Sequence, residues 1–178
     1  AASSNKTVIT GAYPVFHNRP LFTPNDSLVA SQEYLNVMRA FQAWDKTRGD
    51  SSVFIVISDA GTRTTHEDLA AKVSVNRKEI PGNAIDDDGN GYVDDIHGYD
   101  FVNNDANPMD DNGHGTHVSG TIGAVGNNGI GVAGVNWHTK IMALKFLDAS
   151  GSGYLSDAIR ALDYAVANGA RISNNSWG

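Results

Sequence analysis

The chain has 178 residues, 40% of them apolar, and a formal net charge of −7, which suits one soluble globular domain with a real core. No apolar run approaches eighteen residues and no charged-then-apolar leader opens the chain, so neither a membrane span nor a signal peptide is expected. The absence of cysteine excludes thiol catalysis, zinc-thiolate sites and disulfides, and fits any compartment.

In chain order, residues 1–31 are rich in Ser, Thr, Asn and Pro, lack sustained periodicity and read as an irregular surface arm. The domain proper is expected over 32–178. Asn5-Lys6-Thr7 and Asn25-Asp26-Ser27 match the N-glycosylation pattern, which matters only for a secreted eukaryotic protein. From Tyr34 to Arg48, Val37, Phe41 and Trp44 recur at i, i+4, i+7 and predict an amphipathic helix that Gly49 stops. Val53 to Ile57 is a continuous apolar run, the pattern of a strand buried on both faces of a parallel sheet. It ends at Ser58-Asp59-Ala60-Gly61, placing Asp59 on the carboxyl edge where open α/β sheets build their sites. On position alone, a turn or cap aspartate is an equally good reading.

The charge is concentrated. Nine aspartates and no lysine or arginine lie between Asp86 and Asp111, which argues against nucleic acid as a partner and for a bound cation. Asp86, Asp88 and Asn90 offer oxygens at alternate positions, with a glycine for the turn and a carbonyl at Tyr92, much like the first nine positions of an EF-hand calcium loop. His97 stands where the closing glutamate belongs, so Asp94 or Asp95 must complete the shell. A solvated acidic loop is the alternative.

Asp111 to Thr121 holds two histidines and three glycines. As a helix it defies propensity, since each glycine costs about 1 kcal/mol against alanine. Such glycines let a backbone lie close to a neighbour, and a histidine in the first turn sits at a cleft edge, where a proton carrier belongs. His114 and His117 share a helix face, but a zinc hydrolase of the His-Glu-x-x-His type needs i, i+4 spacing and a glutamate where Gly115 stands. Thr139 to Leu147 predicts a second strand, Leu155 to Val166 a helix with Leu155, Ile159, Leu162 and Val166 on one face, and Arg171 to Trp177 a third strand. Strands alternating with helices imply a layered α/β fold on a parallel sheet.

Ile57-Ser58-Asp59-Ala60-Gly61, His66-Glu67-Asp68-Leu69 and His114-Gly115-Thr116-His117-Val118-Ser119-Gly120-Thr121, in that order, resemble the aspartate and histidine motifs of the subtilisin-like serine proteases. The resemblance runs from about Gln32 to Gly178. It implies a three-layer α/β fold with a mainly parallel sheet flanked by helices, represented here by its N-terminal portion and incomplete at the C-terminus. It implies peptide-bond hydrolysis, with His114 as base, Asp59 as orienting carboxylate and His117 in a structural role.

Further roles follow only from the resemblance. Gly151-Ser152-Gly153 and Ser176-Trp177-Gly178 correspond to extended edges that pair with a substrate backbone. Leu147 and Leu155 match positions lining an apolar pocket, although plain core is as good a reading for them, as it is for Trp177. A second calcium site would use Gln32, Asp68, Asn128 and the carbonyls of Ile130 and Val132, with the carbonyl from Val125 or Gly126 left open by a longer loop. Secretion and an inhibitory propeptide are further family expectations, and the lack of a long apolar run gives the expectation of no membrane partner.

Two departures stand out. Ala60 replaces the usual Thr or Ser after the aspartate, and Arg63 puts a cation where many members have an acid. Neither the family's oxyanion-hole asparagine nor its Gly-Thr-Ser-Met-Ala motif occurs in these residues. Ser119, Ser152 and Ser176 match positions that are not nucleophiles. The leading expectation is therefore an endopeptidase whose serine lies on a missing or separate C-terminal segment, the chain alone being inactive. The alternatives are an inactive, calcium-stabilised peptide-binding module and an unrelated calcium-dependent interaction domain.

Overall fold

A computed structural model describes residues 22–178; the first 21 residues of the predicted arm, with the Asn5 sequon, lie outside the described region. The framework is one sheet of four parallel strands, β1 (Phe54–Asp59), β2 (Gly98–Asp100), β3 (Lys140–Lys145) and β4 (Ile172–Asn174), in the order β2-β3-β1-β4. In register, Asp59 of β1 stands beside Lys145 of β3, and Lys145 beside Asp100 of β2. The site is built on that edge.

Alternation along the strands separates two cores. Val56, Met142 and Leu144 pack on one face with Ala158, Ala161, Tyr164 and Ala165 of helix α4 (Leu155–Ala167). Ile55, Ile57 and Ile141 pack on the other with Leu69, Ala124 and the Val118 and Ile122 side chains of helix α3 (His114–Gly123). This is the expected three-layer arrangement, and it explains why β1 reads as a continuous apolar run: both of its faces are covered.

Three sequence expectations are corrected. The single helix over 34–48 is two short ones, α1 (Glu33–Val37) and α2 (Ala40–Trp44), broken at Arg39, whose φ is 59°. The buried positions are Leu35, Ala40 and Trp44, a spacing no straight helix aligns, while Val37 is 85% exposed. The break re-aims the second turn, and Trp44 is anchored by its Nε1 donating to the Val135 carbonyl at 2.9 Å.

In α4 the large aliphatics Leu155, Ile159 and Val166 point outward, being 68%, 52% and 74% exposed. The alanines face the sheet instead, because small side chains let a helix lie close against the strands. Finally, β4 is shorter than expected, and Ser176–Gly178 follow it without strand pairing. No helix among the described residues is long and apolar enough to cross a membrane.

Candidate active site

Asp59 ends β1 with its side chain fully buried. His114 is the first residue of α3, its side chain half exposed, and its Nδ1 lies 2.7 Å from Asp59 Oδ1. A carboxylate oxygen only accepts, so Nδ1 donates and Nε2, across the ring, carries the lone pair. That is the tautomer a general base requires. The Ala60 amide donates to the same Oδ1 at 2.7 Å, while Asp59 Oδ2 is buried with no partner among the described residues.

The glycines of α3 divide by role. A Cβ on Gly115 would stand 2.0 Å from the Gly61 carbonyl oxygen and 3.2 Å from Asp59 Cβ, so this glycine lets the first helical turn touch the end of β1. One on Gly123 would press on Thr139 and Ile141 at 3.0 and 3.2 Å. Gly120 has its nearest neighbour at 3.9 Å and is not needed for contact.

Asp110, which no sequence motif singles out, positions His114 from the other side. Its Oδ1 accepts from the amides of Asn112 and Gly113, and its Oδ2 from the amide and hydroxyl of Thr116, at 2.6 to 2.9 Å. It thereby caps α3 in place of Gly113, which has no side chain to do so. Burial pushes the Asp110 carboxyl up, but these hydrogen bonds outweigh it and hold the group below its ordinary value of 3.8. Because the folded value is depressed, the stabilisation is complete above pH 3.8 and is lost as pH falls through the lower folded value. Asp110→Ala is expected to cost about 1–2 kcal/mol at pH 7 in urea unfolding, with the deficit shrinking in acid; an equal deficit in strong acid would contradict the capping role.

The hydroxyls of two candidate serines are engaged elsewhere, and the third serine is held by its backbone. Ser119 is buried, with its hydroxyl 2.8 Å from that of Thr62. The Ser152 amide and carbonyl close a turn with Asp148, and the Ser176 hydroxyl accepts from Asn174. His117 is exposed and lines a cleft of about 570 Å³ with His66, Tyr34 and Val132.

Of the expected groove residues, Ser152 and Gly153 line a cleft of about 310 Å³ with Phe146, Asp148, Tyr154 and Asp157. Gly151 adopts φ 78°, and a Cβ on Gly153 would lie 2.2 Å from the Phe146 carbonyl oxygen. Leu147 is 9% exposed and belongs to the core, while Leu155 faces outward, so neither lines that cleft. Trp177 sets its ring edge on Phe146 at 4.9 Å, and Gly178 follows, exposed.

In the acidic loop the carboxylates of Asp86, Asp88 and Glu79 converge to within 4.8 Å of one another. Asp94 is turned away, its oxygens accepting from the Gly82 and Ala84 amides. Asp95 is fully buried and accepts from Asn76, Asn90 and the Tyr164 hydroxyl. Burial first, and this bond second, push the Tyr164 phenol far above its ordinary value. Asn90 Oδ1 accepts from the Tyr92 amide, and the Tyr92 ring packs edge-on against Tyr99, Phe101 and Tyr164. Glu79 escapes the sequence pattern because it lies outside the loop whose spacing signals the motif.

At the second expected site, Asp68 accepts from Asn128 Nδ2 at 2.8 Å and the Val132 amide at 3.1 Å, and Asn128 Oδ1 accepts from the Ile130 amide. Gln32 lines the same cleft as Asp68 and Val132, its side-chain amide bonded to Ala133 and Tyr34. The residue that reaches the loop is Asp26, 3% exposed, whose Oδ2 accepts from the Asn127 amide at 2.7 Å.

The sequence profile of the Subtilase family matches residues 50–178. Subtilisin-like protease 1 of Plasmodium vivax is 48% identical over 124 residues, covering 69% of this chain and 20% of its own length. The thermophilic serine proteinase of Bacillus sp. strain AK1 is 38% identical over 179 residues, covering 99% of this chain and 39% of its own. Thermitase of Thermoactinomyces vulgaris is 37% identical over 158 residues, covering 88% and 48% respectively. The chain thus spans less than half the length of each.

Proposed function

The chain belongs to the subtilase family of serine proteases, and on that premise we propose that it contributes Asp59 and His114 to an endopeptidase whose nucleophilic serine lies on a missing or separate C-terminal segment. The carrying observation is the 2.7 Å bond from His114 Nδ1 to buried Asp59. Asp59 orients the imidazole, and Nε2 takes the serine proton as the hydroxyl attacks a peptide carbonyl. His114 then returns it to the leaving amine. The oxyanion-hole asparagine comes from the same separate segment, and an extended peptide substrate runs along Gly151–Gly153 and Ser176–Gly178.

Two surface features support a complementary segment. β4 has β1 on one side and lies at the sheet's edge among the described residues. Leu155, Ile159, Val166 and Ile172 are large apolar side chains about half exposed or more, and burying what remains exposed of each is worth roughly 1–2 kcal/mol. The chain alone is expected not to hydrolyse a peptide, whereas material carrying the serine-bearing segment hydrolyses it and loses that activity in His114→Ala. Hydrolysis by the isolated chain would overturn this reading.

Calcium is part of the same proposal. Asp86, Asp88 and Glu79 would hold one ion, with Asn90 and the Tyr92 carbonyl nearby. Asp26, Asp68, Asn128 and the Ile130 and Val132 carbonyls would hold another. Asp26 and Asp68, from separate segments, are both nearly fully buried and both bond to the 127–132 loop, with no salt bridge among the described residues, which is the chemistry a hard cation satisfies. At calcium about 100 times Kd each ion adds about 2.7 kcal/mol, so chelation is expected to lower the Tm by roughly 5–10 °C for each ion removed. Asp26→Asn and Asp86→Asn separate the two ions; an unchanged Tm in chelator would remove both. Extracellular location and an inhibitory propeptide are carried by family membership alone.

A further inference from the structure

Lys145 is the last residue of β3 and only 1% exposed. A buried ammonium is costly unless all three of its donors are filled, and here each is. Nζ donates to the Ala60 carbonyl at 3.1 Å, the Leu147 carbonyl at 2.7 Å and Asp111 Oδ1 at 2.6 Å. These acceptors sit on three separate segments: the residue after Asp59, the start of the loop that carries Gly151–Gly153, and the turn that delivers His114. Asp111 is half exposed, so the charge it brings is drawn inward by this one contact.

We infer that Lys145 is a positioning residue, its buried ammonium locking the His114 turn and the groove edge onto the strand end that carries Asp59. The inference rests on the reading of Asp59 and His114 as the catalytic pair. The neighbouring contacts are consistent with a shared anchor. The amides of Phe146 and Leu147 both donate to the Asp59 carbonyl, at 3.0 and 3.3 Å, and Asn112 Nδ2 donates to the Ala149 carbonyl at 3.0 Å. Among the described residues, the ammonium is the one group that reaches all three segments at once. Losing it orphans two carbonyls and frees Asp111 to turn into solvent, releasing the helix start from the sheet.

The test is the downfield proton resonance of His114 Nδ1–H in the full 178-residue chain, identified by its loss in His114→Ala. In Lys145→Met the resonance is expected to disappear or move upfield while amide spectra of α4 remain native. Asp111→Asn, which keeps the lysine, is expected to shift it in the same direction by less. Lys140→Met, on the same strand but bonded to the exposed Ala71 carbonyl, is expected to leave it in place. If Lys145→Met does not fold, Asp111→Asn decides. A resonance unmoved in every variant that folds overturns the inference, whereas its absence in the parent chain overturns the catalytic pairing instead.

Discussion

Asp59→Asn is expected to lower kcat of the assembled protease by on the order of 10⁴-fold, the scale seen when a serine-protease triad loses this charge. The side chain is fully buried and its Oδ1 holds His114 Nδ1 at 2.7 Å. An asparagine keeps the shape, but an amide NH₂ turned toward the ring would force Nδ1 to accept. The ring proton then moves to Nε2, where the base must have its lone pair. The imidazolium formed during attack also loses its buried counter-charge. KM should change little, because the Asp59 carboxylate bonds to His114 and the Ala60 amide rather than to the groove, and the change falls on the chemical step. A loss of less than about tenfold would mean that His114 is oriented by something else.

Gly115→Ala is expected to have the largest effect on the fold of the site. The added Cβ would be 2.0 Å from a carbonyl oxygen of Gly61, a backbone atom. Gly61 cannot retreat freely, since its own φ is 103° and the Pro108 carbonyl oxygen lies 2.6 Å from where its Cβ would stand. Helix α3 must therefore move by on the order of 1 Å to regain van der Waals contact, taking His114 with it. Overpacking of this kind costs about 1–3 kcal/mol, and we expect the upper half of that range in urea midpoints, with loss of the His114–Asp59 bond. Gly120→Ala provides the contrast. Its Cβ would meet nothing closer than 3.9 Å, so the helix gains roughly 0.5–1 kcal/mol of propensity. Equal effects of the two substitutions would contradict the packing explanation.

How far each feature is legible in the sequence depends on how local its cause is. Asp59 and His114, 55 residues apart, are legible through the motifs around each of them, since position alone leaves Asp59 an equally good turn aspartate. The face of α4 reads wrongly because Leu155, Ile159 and Val166 form the more hydrophobic stripe, whereas the sheet selects Ala158, Ala161 and Ala165 for closeness. The break at Arg39 arises from where Leu35 and Trp44 must be buried, which no window of residues 34–48 contains. Glu79 lies before the acidic loop and Asp26 is 101 residues from its Asn127 partner, so spacing templates centred on Asp86 or Asp68 pass them over. Lys145 reads in sequence as one polar residue in an apolar strand; its meaning lies in three acceptors contributed by separate loops.

On the proposed reading, this chain holds the base and its orienting acid while another segment holds the nucleophile. Labelling of the native material with a serine-directed fluorophosphonate, read by intact mass, tests it most directly. The label is expected on a serine outside these 178 residues, and to vanish in His114→Ala. Label on a serine within residues 1–178, or none in material that contains the complementary segment, would contradict it.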